Sequence, residues 1–282
     1  MATGLRDHAA AGAELQAPAG PRYEILPFGK GPEQALQLAT PVHLTVTTSP
    51  KHGVDRSVEV AERARGAGHT VTLHVAARMV RGEEHLAEIL QRTAAVGIDD
   101  LFVIGGDAPD PLGPFTSAGD LLAVLVDHPL RPRTIGIGSY PEGHPLIAPE
   151  VLDEVLEQKA RVADYLVTQL CFDTKALLAW LEGVRGRGID LPVHLGAVGP
   201  IERARLLEIA TRIGVGPSLR YLRKQHGVMQ LFRNPANSAN RFFDQVRPRV
   251  GEPRYGIAGF HLFTFNDLTA TRTWYEERTA RE

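Results

Sequence analysis

Cysteine is almost absent from this chain, because Cys171 is the only one in 282 residues. A single thiol excludes an intrachain disulfide, so we expect a reducing compartment and predict a cytoplasmic location. No apolar run approaches the roughly 20 residues that a membrane helix needs. The formal net charge of -2 argues against a nucleic acid or an anionic membrane surface as the main partner.

The short motifs of several common sites are also missing. The chain contains no GxGxxG and no GxxxxGK[ST] sequence, which disfavours an open dinucleotide fold and a P-loop. No GxSxG sequence occurs, so a serine nucleophile is not indicated. The histidines form no HxH or HExxH pair, and we therefore predict no metal site.

Two regions differ in composition. Residues 1–21 are rich in alanine and glycine and lack the basic start and compact apolar stretch of a signal peptide, so we predict a flexible N-terminal extension. Residues 22–282 alternate between apolar strand-like runs and helical patterns, which predicts one catalytic domain. The oligomeric state is left open, with a homo-oligomer as one option.

The strand-like runs indicate the fold. Leu101–Ile104 is a run of four apolar residues without polar alternation, as expected for a strand buried on both faces of a parallel sheet. Eight such strands with helices between nearly all of them predict an α/β protein with a single (β/α)8 TIM-type barrel. The stretch Gly216–Pro253 is predicted to add extra helices before the last strand. The eight strands are centred on Tyr23, Leu44, Leu73, Val103, Ile135, Val167, Val193 and Phe260.

Polar residues recur at the predicted carboxyl ends of these strands. In a barrel such residues converge on one mouth although they lie about one βα unit apart in sequence. Each one alone has a structural explanation, such as an ion pair or a satisfied core histidine. Together they suit proton transfer and the binding of a polar heterocycle. The residues are Glu24, Thr47, His74, Asp107, Tyr140 and Gln169.

Several of these residues stand in recognisable motifs. The most specific are Gly106–Pro109, Tyr140–Pro145 and Thr168–Leu170, and weaker ones are Glu24–Pro27, Leu44–Thr47, Leu73–His74 and Gly259–Asn266. Through these motifs, which come in the family's order, the chain resembles the methylenetetrahydrofolate reductase family from Tyr23 to its C-terminus.

The resemblance implies an FAD-containing barrel enzyme. Such an enzyme passes a hydride from NADH or NADPH to the flavin and then to the methylene carbon of 5,10-methylenetetrahydrofolate. Position by position, Glu24 matches the general acid, Asp107 the carboxylate beside flavin and pterin, and Gln169 the residue that binds the pterin. The matches to the flavin-binding residues are Thr47, His74, Gly106, Asp107, Tyr140, His144, Asp153 and Lys159.

The chemistry agrees with two of these roles. Opening the five-membered ring needs a proton donor to the departing nitrogen, and a carboxylic acid serves near neutral pH only if burial raises its pKa. Glu24 has apolar strand neighbours and meets this condition. Asp107 would stabilise the resulting cation electrostatically.

Three positions depart from the family pattern. Gly105 stands where the family often has arginine. The position of an aromatic residue that helps to hold substrate or nicotinamide falls near Glu202 and Arg203. Asp267 replaces an arginine that meets the folate glutamate tail, and the basic residues Arg220, Arg223 and Lys224 are an alternative for that contact. More often such a basic cluster is a solvated helix face.

Other functions remain open at this stage. The change at Gly105 motivates a flavin-free reductase, or one that runs in the oxidative direction. A non-catalytic folate-binding subunit is a further alternative, although a binder has no need of Glu24 as a proton donor. An aldolase-type barrel would need a lysine at a strand end, and none is evident.

Overall fold

Eight parallel strands close into a barrel in chain order, from β1 beside β2 round to β8 beside β1. The computed structural model describes residues 20–144, 147–171, 173–199 and 235–280. The architecture confirms the predicted (β/α)8 fold. The strands are β1 (Arg22–Ile25), β2 (His43–Val46), β3 (Thr70–Ala76), β4 (Asp100–Ile104), β5 (Thr134–Ser139), β6 (Tyr165–Thr168), β7 (Val193–Val198) and β8 (Ile257–Phe263).

Helices flank this barrel. A helix and a 3-10 turn, Arg247–Arg249, precede β8 as the sequence predicts. The predicted helix Ile201–Ile213 and residues 1–19 of the predicted extension lie outside the described residues. Within the described part of the chain, no helix is long and apolar enough to cross a membrane. The helices are α1 (Lys30–Leu36), α2 (Gly53–Gly66), α3 (Glu83–Ala95), α4 (Ala118–Leu125), α5 (Pro149–Ala160), α6 (Thr174–Gly186), α7 (Pro235–Val246) and α8 (Leu268–Thr279).

The two faces of the strands differ in chemistry. Outward side chains such as Ile25, Leu44 and Leu73 are fully buried against the helices and form the main core. Inward side chains such as Glu24 and His74 are polar, because successive residues of a strand point to opposite faces. The apolar core therefore forms a ring around a barrel whose interior carries ionisable groups.

The first βα unit differs from its prediction. The sequence predicts a strand over Arg22–Phe28, whereas β1 ends at Ile25, because the Leu26 N–H donates to Asn266 Oδ1 at 2.8 Å and leaves the strand ladder. The short helix α1 was not predicted. It contains Pro32 near its start, where the missing N–H of proline leaves no intrahelical bond unmade.

The amino-terminal half of the barrel interior is filled by a buried polar network, which we call the barrel floor. Its centre is Asp100, whose carboxylate accepts from Arg22 at 3.2 Å, from the Thr72 hydroxyl at 2.6 Å and from the Tyr165 hydroxyl at 2.9 Å. The Arg22 guanidinium also lies 4.2 Å from the Tyr165 ring centroid. This network closes the barrel below the residues described next.

Candidate active site

Three ionisable side chains from three strands meet inside the barrel, and we call them the acid cluster: Glu24, His74 and His261. His261 Nε2 is hydrogen-bonded to Glu24 Oε2 at 3.1 Å. The His74 and His261 ring centroids lie 5.9 Å apart. Because β1 pairs with β8 where the barrel closes, residues 24 and 261 become neighbours despite their separation in sequence. The cluster thus depends on barrel closure.

Burial sets the protonation states of this cluster. It raises the pKa of Glu24 from 4.5 to about 7, with a smaller opposing effect from His74. Burial also lowers the pKa of His74 and of His261 to about 3, and Arg22 in the barrel floor adds to the lowering at both. Near neutral pH both imidazoles are therefore uncharged and Glu24 can hold a proton. This agrees with the expectation that burial would raise the pKa of Glu24.

Apolar and aromatic side chains surround the acid cluster. The Phe102 ring centroid lies 4.7 Å from that of His74 and 6.2 Å from that of His261. On β8, Phe263 follows on the same strand face, 5.0 Å from His261 between ring centroids. These rings pack against the two imidazoles that neighbour Glu24.

The turn after β8 holds the end of β1 in place. The Thr264 hydroxyl donates to the Glu24 carbonyl oxygen at 2.6 Å. Asn266 accepts from the Leu26 N–H at 2.8 Å and donates to the Phe28 carbonyl oxygen. Because these bonds fix the backbone at Glu24 and in the residues that follow it, the turn helps to fix the position of its carboxylate.

Other predicted site residues form the rim of the mouth, at the carboxyl ends of β2, β4, β5 and β6: Thr47, Asp107, Tyr140, His144 and Gln169. The Tyr140 and His144 ring centroids lie 5.0 Å apart. Burial raises the pKa of Tyr140, and the Asp107 carboxylate raises it further. Burial lowers the pKa of His144, and Asp107 partly opposes this. Asp107, Tyr140 and His144 therefore lie close enough to interact.

The site residues lie at two levels, the acid cluster inside the barrel and the rim above it. All six strand-end residues lie in the carboxyl-terminal half of their strands or after the strand ends. Thr47, Tyr140 and Gln169 directly follow their strands, whereas Glu24 is the third of four residues in β1 and His74 the fifth of seven in β3. Glu24 and His74 consequently lie inside the barrel and the rim residues above them. The exposed Gln169 accepts from the Leu170 N–H through its side-chain oxygen at 2.8 Å.

Glycine is required where the loop after β4 leaves the barrel. Gly106 has φ +90°, and a Cβ there would lie 2.8 Å from the Ala76 Cβ. Arg78 then holds the loop by donating to the carbonyl oxygens of Ala108 at 2.7 Å and Pro109 at 2.5 Å. Gly106 and Arg78 thus fix the position of Asp107. At Gly105 a Cβ would meet nothing within 4 Å, so packing does not require glycine there.

Two predicted flavin contacts on α5, Asp153 and Lys159, have partners within the protein. The Asp153 carboxylate pairs with Arg187, directly after α6, at 2.6 Å. The Lys159 ammonium donates to the Gly138 carbonyl oxygen at 3.2 Å, and burial lowers its pKa to about 8. Both side chains are engaged at the contacts of α5 with α6 and β5.

The residues of the acid cluster also have the chemistry of metal ligands. One ligand atom from each of Glu24, His74 and His261 can be chosen so that all lie within 4.8 Å of one another. The sequence showed no histidine pair at ligand spacing, because these residues come together only through the fold. His74 Nε2 is buried and has no hydrogen-bond partner among the residues that the structure describes.

Sequence reasoning missed His261 and Asn266 as site residues. His261 and Phe263 are two residues apart on β8 and therefore lie on the same face of the strand. This spacing was the signal in the sequence that the two side chains point in the same direction. Asp267, where the family often has arginine, caps α8 and pairs with Lys30 at 2.7 Å. The predicted alternatives for the folate tail, Arg220, Arg223 and Lys224, lie outside the described residues, as do Glu202 and Arg203.

The fold and the site together define a (β/α)8-barrel protein with a buried acid and two neutral imidazoles below its mouth. The chain matches the sequence profile described as methylenetetrahydrofolate reductase over residues 33–217. Because this match covers more than half of the chain, the protein belongs to the methylenetetrahydrofolate reductase family.

Two yeast proteins are similar to part of the chain. Methylenetetrahydrofolate reductase 1 of Schizosaccharomyces pombe is 29% identical over 129 residues, which cover 42% of this chain and 21% of that protein. Methylenetetrahydrofolate reductase 2 of Saccharomyces cerevisiae is 29% identical over 120 residues, 39% of this chain and 20% of that protein. The alignments thus span about a fifth of the length of these relatives.

One solved structure supports the fold. It is a protein from Clostridium thermocellum that binds two copies of 5-methyl-5,6,7,8-tetrahydrofolic acid. It superposes with a TM-score of 0.60 at 13% sequence identity and covers 91% of this chain and 95% of its own. At this identity the likeness concerns the fold alone.

Proposed function

We propose that this protein reduces 5,10-methylenetetrahydrofolate to 5-methyltetrahydrofolate with NADH or NADPH as the reductant, as part of one-carbon metabolism. The observation that carries the proposal is Glu24, a carboxylic acid inside the barrel whose pKa burial raises to about 7. Membership of the family supports the substrate class, and the folate bound by the structural neighbour agrees with it.

The chemistry assigns Glu24 the proton. When the bond between the methylene carbon and N10 breaks, N10 keeps the bonding electrons and takes the proton from Glu24. An iminium cation remains between N5 and the methylene carbon, and a hydride to that carbon gives the methyl group. His261, hydrogen-bonded to Glu24, orients the acid, and the Asp107 carboxylate stabilises the cation.

The rim fits the polar edge of a flavin ring, because it offers hydroxyl, imidazole and carboxylate groups around one mouth. We assign Thr47, Tyr140 and His144 to this ring, with Gly106 allowing the close approach of the loop that carries Asp107. His74, with its unpartnered Nε2 inside the barrel, is the deepest of the assigned contacts. When bound, FAD would carry the hydride from the nicotinamide to the folate. Gln169 is assigned to the pterin.

A flavin-free reductase is the second candidate, and specific contacts favour it. The arginine often found in the family is Gly105 here, Asp153 pairs with Arg187, and Lys159 donates to Gly138. The arginine position is thus glycine, and two residues expected to contact the flavin, Asp153 and Lys159, are already engaged within the protein. In that case the hydride would pass directly from the nicotinamide to the methylene carbon, and Glu24 would keep its role.

Two measurements test these proposals. The first is the formation of 5-methyltetrahydrofolate from 5,10-methylenetetrahydrofolate under anaerobic conditions, with NADH or NADPH and with or without added FAD, followed by mass spectrometry. Wild-type protein should form product, Glu24→Gln should lose almost all of it, and Glu88→Gln on the exposed face of α3 should behave as wild type. A wild-type protein that forms no product under any of these conditions contradicts the proposed activity.

The second measurement separates the two candidates. Flavin retention is read from the visible absorbance of the purified protein and from FAD titration. Tyr140→Ala with His144→Ala should abolish retention if the rim holds the ring. Product formation by flavin-depleted protein at an undiminished rate would instead establish the flavin-free reductase.

A further inference from the structure

The loop after β4, residues 105–116, carries Asp107 and lies against the short turn that follows β3. Arg78 belongs to that turn, and its backbone makes two hydrogen bonds to the loop. Its N–H donates to the Gly105 carbonyl oxygen at 3.0 Å, and its carbonyl oxygen accepts from the Leu112 N–H at 2.8 Å. Because one bond lies before Asp107 and the other after it, the turn after β3 determines the path of the loop.

The side chain of Arg78 holds the same loop at three further points. Its Nε donates to the Ala108 carbonyl oxygen at 2.7 Å, its Nη2 to that of Pro109 at 2.5 Å and its Nη1 to that of Thr116 at 3.2 Å. A guanidinium can serve several carbonyl oxygens at once because its donors point in fixed directions from one plane. Since each of its three nitrogens is bonded within the protein, Arg78 is a part of the loop's support.

Asp107 depends on this loop for its position. Its side chain is exposed, and among the described residues no hydrogen bond to its carboxylate occurs. The two residues that Arg78 holds through Nε and Nη2 directly follow Asp107 in the chain. The carboxylate therefore lies where the backbone places it, which is close enough to Tyr140 and His144 to raise the pKa of both.

We propose that Arg78 is a positioning residue, which fixes the loop after β4 so that the Asp107 carboxylate is in place for catalysis before the folate binds. The inference rests on the proposed function, in which this carboxylate stabilises the iminium cation. Such stabilisation is most effective when the charge is held in advance, because no reorganisation is then needed during the reaction. Gly105 stands where the family often has arginine, so the guanidinium of this loop comes from the turn after β3.

The test compares Arg78 with a second arginine that makes the same kind of bonds elsewhere. Arg78→Met keeps the apolar stem of the side chain, and Arg78→Lys also keeps the positive charge. Arg185→Met is the matched control, because Arg185 also donates to three backbone carbonyl oxygens, at the amino-terminal ends of β7 and β8 and away from the mouth. These oxygens belong to Ile189, to Leu191 at 2.9 Å and to Tyr255 at 3.0 Å. Circular dichroism checks that every variant is folded.

The first two readouts need no activity and use ligand-free protein. Amide hydrogen exchange of residues 105–116 should be at least about 10-fold faster in Arg78→Met, because three bonds that hold the loop are lost. The pKa of His144, measured by NMR titration, should fall, because the Asp107 carboxylate is no longer held near it. Arg185→Met should match wild type in both readouts. Unchanged exchange and titration in folded Arg78→Met overturn the positioning role.

The third readout is the rate of folate reduction. Arg78→Met should lower kcat about 10- to 100-fold and leave KM within about threefold of wild type, because a misplaced Asp107 affects the cation more than the bound substrate. Arg78→Lys should recover only part of kcat, because an ammonium is a single point and cannot reach three separate carbonyl oxygens. Arg185→Met should unfold at lower urea concentration but keep kcat within about twofold of wild type.

Two results of the kinetic comparison overturn the inference. Full recovery of kcat by Arg78→Lys would show that only the charge matters, and an equal loss of kcat in Arg185→Met would show that loss of stability explains the effect. A wild-type protein without activity overturns the proposed function. In that case hydrogen exchange and the His144 titration still decide whether Arg78 positions Asp107, so the two failures are distinguishable.

Discussion

His261 Nε2 lies 3.1 Å from Glu24 Oε2, in a contact that joins the last strand of the barrel to the first. Burial drives the pKa of the two groups in opposite directions, to about 7 for Glu24 and about 3 for His261. The pair is therefore most stable as a neutral acid beside a neutral imidazole. This arrangement keeps a transferable proton inside the barrel at a pH where an ordinary glutamate has lost it.

The first prediction concerns the role of Glu24 in catalysis. The rate of folate reduction should fall as pH rises through about 7, because the acid form of Glu24 is lost. His74 and His261, the other cluster members, titrate near pH 3 and do not contribute there. Glu24→Gln should be about 10²- to 10⁴-fold slower and should lose this pH dependence.

Stopped-flow measurement of each half-reaction provides the control for flavin-loaded protein. Glu24→Gln should leave the reduction of the flavin by the nicotinamide nearly unchanged, because no proton from Glu24 is needed there. Equal damage to both half-reactions would show that Glu24 holds the site together and does not act as its acid.

The second prediction is that Glu24→Gln stabilises the fold at alkaline pH. The pKa of Glu24 is raised in the folded state, so between about pH 4.5 and 7 the folded state holds a proton that the unfolded state has lost. Stability therefore decreases as pH rises through this window. Glutamine avoids the cost of a buried charge, which amounts to at most about 3 kcal/mol. The melting temperature of Glu24→Gln should exceed that of wild type at pH 8, and the difference should vanish near pH 4.5.

The third prediction concerns Asn266, which holds the end of β1. Asn266→Ala removes its bonds to the Leu26 N–H and the Phe28 carbonyl and places alanine at φ +64°. We expect a loss of about 2–4 kcal/mol in the free energy of unfolding, measured with urea. Asn266→Gly accepts this φ, so it should recover about 1 kcal/mol. Complete recovery by glycine would show that only backbone strain matters.

The fold was predictable because eight apolar strands alternate with helical patterns, and that alternation leaves few architectures. The rim was largely predictable for the same reason, since Thr47, Tyr140 and Gln169 directly follow their strands. The depth at which a side chain such as Glu24 lies within the barrel was not predictable. Whether Glu24 lies at the rim or below it depends on where β1 ends, and Asn266, 240 residues from Leu26, decides that.

The acid cluster could not be predicted without knowing how the barrel closes. Glu24 and His261 lie at opposite ends of the chain and meet only because β1 pairs with β8, a contact that residue spacing does not show. The prediction that Asp153 and Lys159 contact the flavin relied on motif positions alone. It could not anticipate the ion pair with Arg187 or the bond to the Gly138 carbonyl, because these depend on how α5 packs.

The fourth prediction tests the geometry of the rim. The Asp107 carboxylate raises the pKa of both Tyr140 and His144, in each case as a smaller effect than burial. Asp107→Asn should therefore lower both pKa values, moving Tyr140 toward its ordinary value and His144 further from its own. NMR titration, with Tyr140→Phe and His144→Gln for assignment, measures the shifts. Asp110→Asn, an exposed carboxylate of the same loop, is the control and should shift neither by as much.

The last prediction concerns the barrel floor. Arg22 and Asp100 are both largely buried, with side chains 11% and 12% exposed, and the Asp100 carboxylate also accepts from Thr72 and Tyr165. Asp100→Ala leaves the guanidinium buried without its carboxylate and two hydroxyls without their acceptor. Because breaking a buried pair costs more than replacing both members, we expect a loss of about 3–5 kcal/mol.

The double variant Asp100→Ala with Arg22→Met should lose less free energy of unfolding than the two single variants lose together, because it removes the unpaired charge. Urea unfolding of the wild type, the two single variants and the double variant measures this coupling. The exposed pair of Arg254 with Glu182 is the matched control, and Glu182→Ala should cost no more than about 1 kcal/mol. Equal costs for Asp100→Ala and Glu182→Ala would mean that the floor is hydrated and contributes little. The burial of Asp100 by its hydroxyl and guanidinium partners argues for the larger loss, since a group that has lost water depends on its partners for every bond it makes.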